Sequence, residues 1–306
     1  MPVRSWDVLP ATAALAVAHP SHELRVHGWL QRARPRVFIL TDGGGHAGES
    51  RLPRSSAIVD GAGATPGEIF GPLGEAGVYK ALLCGHARLF TGLAEDLATA
   101  FVQNGITLVV GDAAEGYSST HDVWRLVVNS AVRLAGRRSQ HRVENYEFLV
   151  IGPPTHVPEG VDEVREIQLD DHEYDRKIAA ARTYTSKLAH DVEIALGGGK
   201  FFGVRRFSEP QLAGEADGAL IEQLRARFEC DPRFGASVRA LLSGIELEAF
   251  RTECFWRAQE VAPAAVDVPP FYEVYGEKLV ESGRYPAVIR HNEHVLPIAQ
   301  ALAALE

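Results

Sequence analysis

Apolar residues follow two rhythms along this chain. Short unbroken runs at residues 15–18, 37–40, 106–110 and 148–151 have the continuous character of strands covered on both faces. Between and beyond them, apolar positions recur every three or four residues, predicting helices over 23–34, 87–103, 123–135 and 173–188. Further helices are expected over 237–250, 271–282 and 292–305, with a turn at Gly197-Gly198-Gly199. Strands alternating with helices imply an α/β fold whose sheet is mostly parallel, joined by right-handed crossovers and covered by helices on both faces. Residues 47–85 are rich in Gly and Pro and keep no clear period, so they read as a long irregular excursion, a common setting for a lid, with a short helix near 78–83. The chain thus divides into a core over 1–155 and a mostly helical remainder over 156–306 that completes the same domain and one wall of its site.

Polar chemistry begins wherever an apolar run stops. The first run ends in His19-Pro20-Ser21-His22-Glu23, the second in Thr41-Asp42-Gly43-Gly44-Gly45-His46, and the third precedes Asp112, Glu115 and His121. Proline suits a first helical turn, so Pro20 is expected to start a helix that puts His19 and His22 on one face. Thr120 is the expected N-cap of the next helix, with His121 in its first turn. In an open parallel sheet the carboxyl ends of neighbouring strands share one edge, where ligands bind. Three imidazoles meeting there, with a fourth position open, describe a catalytic zinc site.

Composition narrows the partners. The 306 residues carry a formal net charge of −9, and nothing supplies a basic surface for nucleic acid or an anionic membrane. The three cysteines, Cys84, Cys230 and Cys254, are scattered and lack metal-knuckle spacing, which suits a reducing cytoplasm. An alanine-rich N-terminus imitates a signal peptide, but Asp7 and Pro10 interrupt it, and no apolar stretch reaches the roughly 20 residues of a spanning helix. The expected partner is a small-molecule substrate, with a homo-oligomer left open.

These residues resemble the LmbE-like or PIG-L-type zinc-dependent N-deacetylases, a family with a Rossmann-like fold. Its A-H-P-D-D-E motif is matched by Ala18-His19-Pro20-Ser21-His22-Glu23, and its glycine loop after the second strand by Thr41-Asp42-Gly43 with Glu49 and Arg51 following. Its H-P-D-H motif stands where this chain has Ser118-Ser119-Thr120-His121; the likeness covers about the first 150 residues. The resemblance implies that His19, His22 and His121 hold Zn2+ or another divalent transition metal, histidine replacing a carboxylate at the middle position. It implies hydrolysis of the amide of a small N-acyl compound. The family's general base and second catalytic histidine fall on Ser21 and Ser118, neither of which is a base at neutral pH. Asp42 and Glu115, just past strand ends, are therefore the candidate proton carriers. Asp122 is a candidate outer partner of the histidines, Arg51 and Arg54 are candidate clamps for a substrate anion, and His27, His46 and Tyr117 are lesser candidates.

Two rival readings stand beside this one. Gly43 to Gly48 fits G-x-G-x-x-G, and residues 57–60 would be the following strand of a dinucleotide fingerprint, although Pro53 would break the helix between them. Alternatively the two serines mark a protein of the same fold that binds metal for a lyase, redox or ligand-binding role without hydrolysis.

Overall fold

The computed structural model describes residues 3–6, 12–45, 49–151, 154–161, 163–194, 250–259, 262–281, 283 and 285–305. Its centre is one eight-stranded sheet, ordered β1-β7-β8-β6-β5-β2-β3-β4. The strands are β1 (Val3–Ser5), β2 (Ala13–Val17), β3 (Arg36–Thr41), β4 (Thr65–Leu73), β5 (Leu108–Asp112), β6 (Glu144–Phe148), β7 (Val164–Gln168) and β8 (Thr252–Arg257). All neighbours pair in parallel except β8, which runs antiparallel to both β6 and β7.

Helices cover both faces. A 3-10 turn (His22–Val26) leads into α1 (His27–Ala33); α2 (Leu52–Gly61), α3 (Glu75–Leu83), α4 (Ala87–Gln103), α5 (Ser119–Ser139) and α6 (Asp171–Ile194) follow, then α7 (Phe271–Glu281) and, after a π-turn (His291–Val295), α8 (Leu296–Ala303). Strand alternation sorts the core into two layers. Ala14, Ala16, Phe38 and Leu40 pack with Phe90, Leu97, Trp124 and Val127 on one face, while Leu15, Val17, Val37 and Ile39 pack with Trp29, Leu30, Tyr146 and Phe255 on the other. The central strands are buried on both sides, which is why they lack polar alternation. Alanine at 14 and 16 leaves room for Phe38, whose ring meets Phe101 edge-on at 5.5 Å.

The α/β architecture, the mostly parallel sheet and its two helical layers agree with the sequence pattern. The excursion over 47–85 agrees only in its short helix, which falls within α3, because α2 and β4 precede it. The reason is chemical. β4 is an edge strand, Thr-Pro-Gly-Glu-Ile-Phe-Gly-Pro-Leu, and an edge tolerates prolines that an interior strand rejects. A Cβ on Gly67 would lie 2.5 Å from the Phe38 ring, and Gly71 takes a φ of +70°, so the residues that make the stretch look irregular are those its packing requires.

Several boundaries also move. The third run forms β5 two residues later than expected, and the fourth strand is Glu144–Phe148 instead of 148–151; it is half polar because one of its faces meets Arg125. Pro20 does not open the helix: the 3-10 turn begins at His22, with Ser21 in the left-handed region at φ +91°. Ser118, not Thr120, precedes α5. Residues 57–60 lie inside α2, where Pro53 sits in the first turn instead of breaking the helix, so the strand needed for a dinucleotide fingerprint is absent from that place. The remainder supplies helix α6 as expected but also β7 and β8, which the pattern did not announce. The expected helix over 237–250, apart from Phe250, and the turn at 197–199 lie outside the described residues, as does His46.

Candidate functional site

Four adjacent parallel strands, β5-β2-β3-β4, end on one edge, and each delivers a polar group there. His19 and His22 follow β2, Thr41 ends β3, Glu75 opens α3 directly after β4, Asp112 ends β5, and His121 lies in the first turn of α5. All three imidazoles are buried. Their ring centroids form a near-equilateral triangle: 5.2 Å from His19 to His22, 4.8 Å from His19 to His121 and 4.7 Å from His22 to His121.

Carboxylates stand behind two of these rings. His19 Nδ1 lies 2.6 Å from Glu75 Oε1 and 2.7 Å from the Thr41 hydroxyl. His22 Nδ1 lies 2.8 Å from Asp112 Oδ2, an oxygen that also accepts the Ala18 N–H at 2.7 Å. An ionised carboxylate accepts and never donates, so these contacts put a proton on Nδ1 of both rings, and in the neutral imidazole that leaves the lone pair on Nε2. That is the tautomer a metal-binding histidine needs, and carboxylates behind the ring are the usual way to enforce it.

The fit to a divalent ion can be tested on these distances. Imidazoles converging tetrahedrally at nitrogen–zinc distances of about 2.0–2.1 Å would place their centroids roughly 5 Å apart, which matches the triangle. Yet among the described residues no group of three or more His, Cys, Asp or Glu side chains is disposed to hold an ion as it stands. The spacing of the rings and the chemistry of three imidazoles suit a zinc-like ion.

The turn carrying His19 and His22 is held from beneath. Ser21 N–H donates to Glu23 Oε2 at 2.8 Å and to the Ser55 hydroxyl at 3.2 Å, and Ser55 donates a very short hydrogen bond to Glu23 Oε1. Glu23 is fully buried, and that burial pushes its carboxyl above the usual range, against the hydrogen bond from Ser55. Tyr184 from α6 closes the cluster; burial carries its hydroxyl far above its ordinary value, helped by Glu23 and opposed by Arg51.

The candidate proton carriers are occupied by their own loops. Asp42 Oδ1 accepts the Gly44 N–H at 2.9 Å. Glu115 accepts Val150 N–H at 2.6 Å and Ile151 N–H at 3.1 Å. Asp122 accepts the Gly116 N–H at 3.1 Å, and burial lifts it to about 7. Arg51 precedes α2 and donates its backbone N–H to Asp42 O, and Arg54 lies over the Tyr184 ring at 5.7 Å. His27 is buried away from the triangle; burial, then Lys177 and Arg176, pull it down to about 4. Tyr117, 6.5 Å from His121, stacks on Phe271, which stacks on Tyr275, so α7 forms a wall of parallel rings beside the histidines.

Sequence reasoning named the three histidines but not Glu75, Thr41 or Glu23 as working parts of the site. Glu75 was hidden because the strand before it was hidden. Its acidic first-turn position after Gly74 is the signal that would have revealed it, once β4 was recognised.

No protein-family model matches the chain, and curated proteins give no significant match. Among solved structures the chain is similar to an A40926 pseudoaglycone deacetylase, at 16% identity over 82% of this chain and 100% of that one, with a TM-score of 0.47. It is also similar to a zinc-inhibited form of teicoplanin deacetylase, at 15% identity over 81% of this chain and 100% of that one, with a TM-score of 0.46. Likeness of this degree does not assign the chain to a family. What fold and site define is an α/β protein with a buried three-histidine cluster, backed by carboxylates, at the carboxyl edge of its sheet.

Proposed function

We propose that the protein is a metal-dependent amide hydrolase of the LmbE/PIG-L type, removing the acyl group from a small N-acyl compound. The observation that carries this reading is the triangle of His19, His22 and His121, with Glu75 and Asp112 behind two of its members. These three residues would hold Zn2+ or another divalent transition metal. When bound, such an ion polarises an amide carbonyl and acidifies water.

The chain's own residues supply the rest. Asp112 and Glu75 keep His22 and His19 in one tautomer and one orientation. Glu23 and Ser55 hold the Ser21 turn that carries His19 and His22 past the end of β2. The stacked rings of Tyr117, Phe271 and Tyr275 give an apolar surface beside His121 for the substrate to lie against. Proton transfer needs a carboxylate near the scissile amide. Asp42 and Glu115 are candidates that must first release backbone N–H groups; Glu75 already reaches the triangle and keeps about a fifth of its side chain accessible. Arg51 is the candidate anchor for an anionic group on the substrate.

A second reading, a metal protein of this fold with a lyase, redox or ligand-binding role, is favoured by serine at 21 and 118 and by the engaged carboxylates of Asp42 and Glu115. Two measurements separate the readings. Elemental analysis of the purified protein should find one equivalent of zinc or a similar ion, absent from His121→Ala. Acetate release from N-acetylated amines should fall on the order of a thousandfold in that variant, about 4 kcal/mol of barrier. Metal without acyl release would support the second reading; neither metal nor release would defeat both.

A further inference from the structure

The edge of the sheet opposite the histidines carries a cavity of about 650 Å³, formed where the C-terminal end of α5 meets the start of β6 and the end of β8. Among the described residues, four arginines line it, Arg133, Arg137, Arg142 and Arg257, and no acidic side chain does. In a chain with 40 acidic and 31 basic residues, such a one-signed lining is not a by-product of composition.

The charges are also largely unspent. Arg257 is balanced by Glu163 at 2.6 Å and Glu144 at 3.3 Å. Arg133 and Arg137 instead donate to neutral carbonyls, of Leu302 at 2.7 Å and Leu305 at 3.4 Å, and with Arg142 they make no ion pair among the described residues. Beside them is an oriented polar floor. Buried Arg125 donates to Asn145 Oδ1 at 2.8 Å, and Asn145 Nδ2 donates to Asn129 Oδ1 at 2.8 Å. With both carboxamide oxygens accepting, the chain of bonds ends on Asn129 Nδ2, a donor on a residue that lines the cavity.

From these features we infer a second ligand site, one that takes a small anion bearing a phosphate or diphosphate group. Guanidinium groups match phosphate oxygens in pairs of hydrogen bonds, and the volume falls in the range of ordinary small-molecule sites. It is not the site of the proposed hydrolysis. His121 and Arg137 lie 16 residues apart on α5, about 24 Å along a helix. The inference does not rest on any metal and stands whether or not the protein is a hydrolase.

Calorimetric titration of the full chain with pyrophosphate at physiological ionic strength tests it. We expect saturable binding of one equivalent, weakened at least tenfold in an Arg137→Ala/Arg142→Ala double variant and unchanged in His121→Ala. Both arginines are exposed, and the double variant should keep the parent's thermal unfolding profile. Asn129→Leu should weaken binding through the floor alone. No saturation at millimolar pyrophosphate would overturn the site, as would binding lost in His121→Ala but kept in the double variant. Citrate binding as tightly as pyrophosphate would overturn the phosphate assignment, and a short duplex oligonucleotide outcompeting pyrophosphate would make the patch an open basic surface instead.

Discussion

Two buried polar clusters, one at the strand ends and one under α1, are built from similar parts and do opposite things. Under α1, Glu253 accepts Gly28 N–H, Trp29 N–H and Lys177 Nζ, each at 2.8 Å, while Lys177 also donates to Arg25 O at 2.9 Å. Carboxylate, ammonium and helix N-terminus answer one another, in a place where both residues are 1% exposed. At the strand ends, Asp112 and Glu75 orient His22 and His19 from one side only. Asp112 Oδ1, although buried, has no hydrogen-bond partner among the described residues. A closed cluster fastens β8 and α6 to α1. An open one keeps bonding capacity in reserve, which is what binding and catalysis require.

The largest effect should come from opening the closed cluster. Glu253→Ala leaves the Lys177 charge and two helix N–H groups buried without their acceptor, and should lose about 3–5 kcal/mol in urea unfolding. A loss under about 1 kcal/mol would mean the cluster does not fasten the second half.

Acid should probe the same region next. His27 is held at about 4, below its ordinary value, by burial first and by Lys177 and Arg176 after it. The unfolded chain therefore binds the extra proton between about pH 6.5 and 4, and stability falls as the pH drops through that window, by up to about 3 kcal/mol. In His27→Gln that share of the acid sensitivity should vanish from unfolding curves measured at pH 7 and pH 4.5.

In the open cluster, Asp112→Asn should weaken metal retention roughly 10–100-fold, because the amide no longer enforces the His22 tautomer. Stability should change less than in Glu253→Ala, since the Ala18 N–H keeps an acceptor. Metal titration with a chromophoric chelator reads this, and affinity equal to the parent's would remove Asp112 from the site's support. Smallest of all, Ser21→Gly should stabilise by up to about 1 kcal/mol, because glycine adopts the φ of +91° without the strain serine bears there. Thermal unfolding reads that shift, and a loss of stability would show the turn is not strained.

The contrast between clusters follows how each is written in the chain. His19, His22 and His121 were legible because each stands just past an apolar run or at a helix start, and a parallel sheet brings such ends to one edge whatever lies between. Glu253 and Lys177 were not, since each is an isolated charge 76 positions from its partner in ordinary-looking polar sequence. The same limit hid β4: its prolines and glycines disguise an edge strand, and with it went Glu75. Asp42 and Glu115 show the converse, acids placed at the right edge by the pattern that the loops then engage through backbone N–H groups.

The amino-acid sequence by itself determined the layered α/β plan, the central buried strands and the edge at which chemistry gathers, because burial on two faces and helical periodicity are local signals carried by consecutive residues. Only the tertiary structure decided which carboxylates stand behind which imidazoles, which acids accept backbone N–H groups of the loops, and where an arginine-lined cavity opens. Those outcomes depend on side chains meeting across tens of positions, and no local pattern encodes such a meeting.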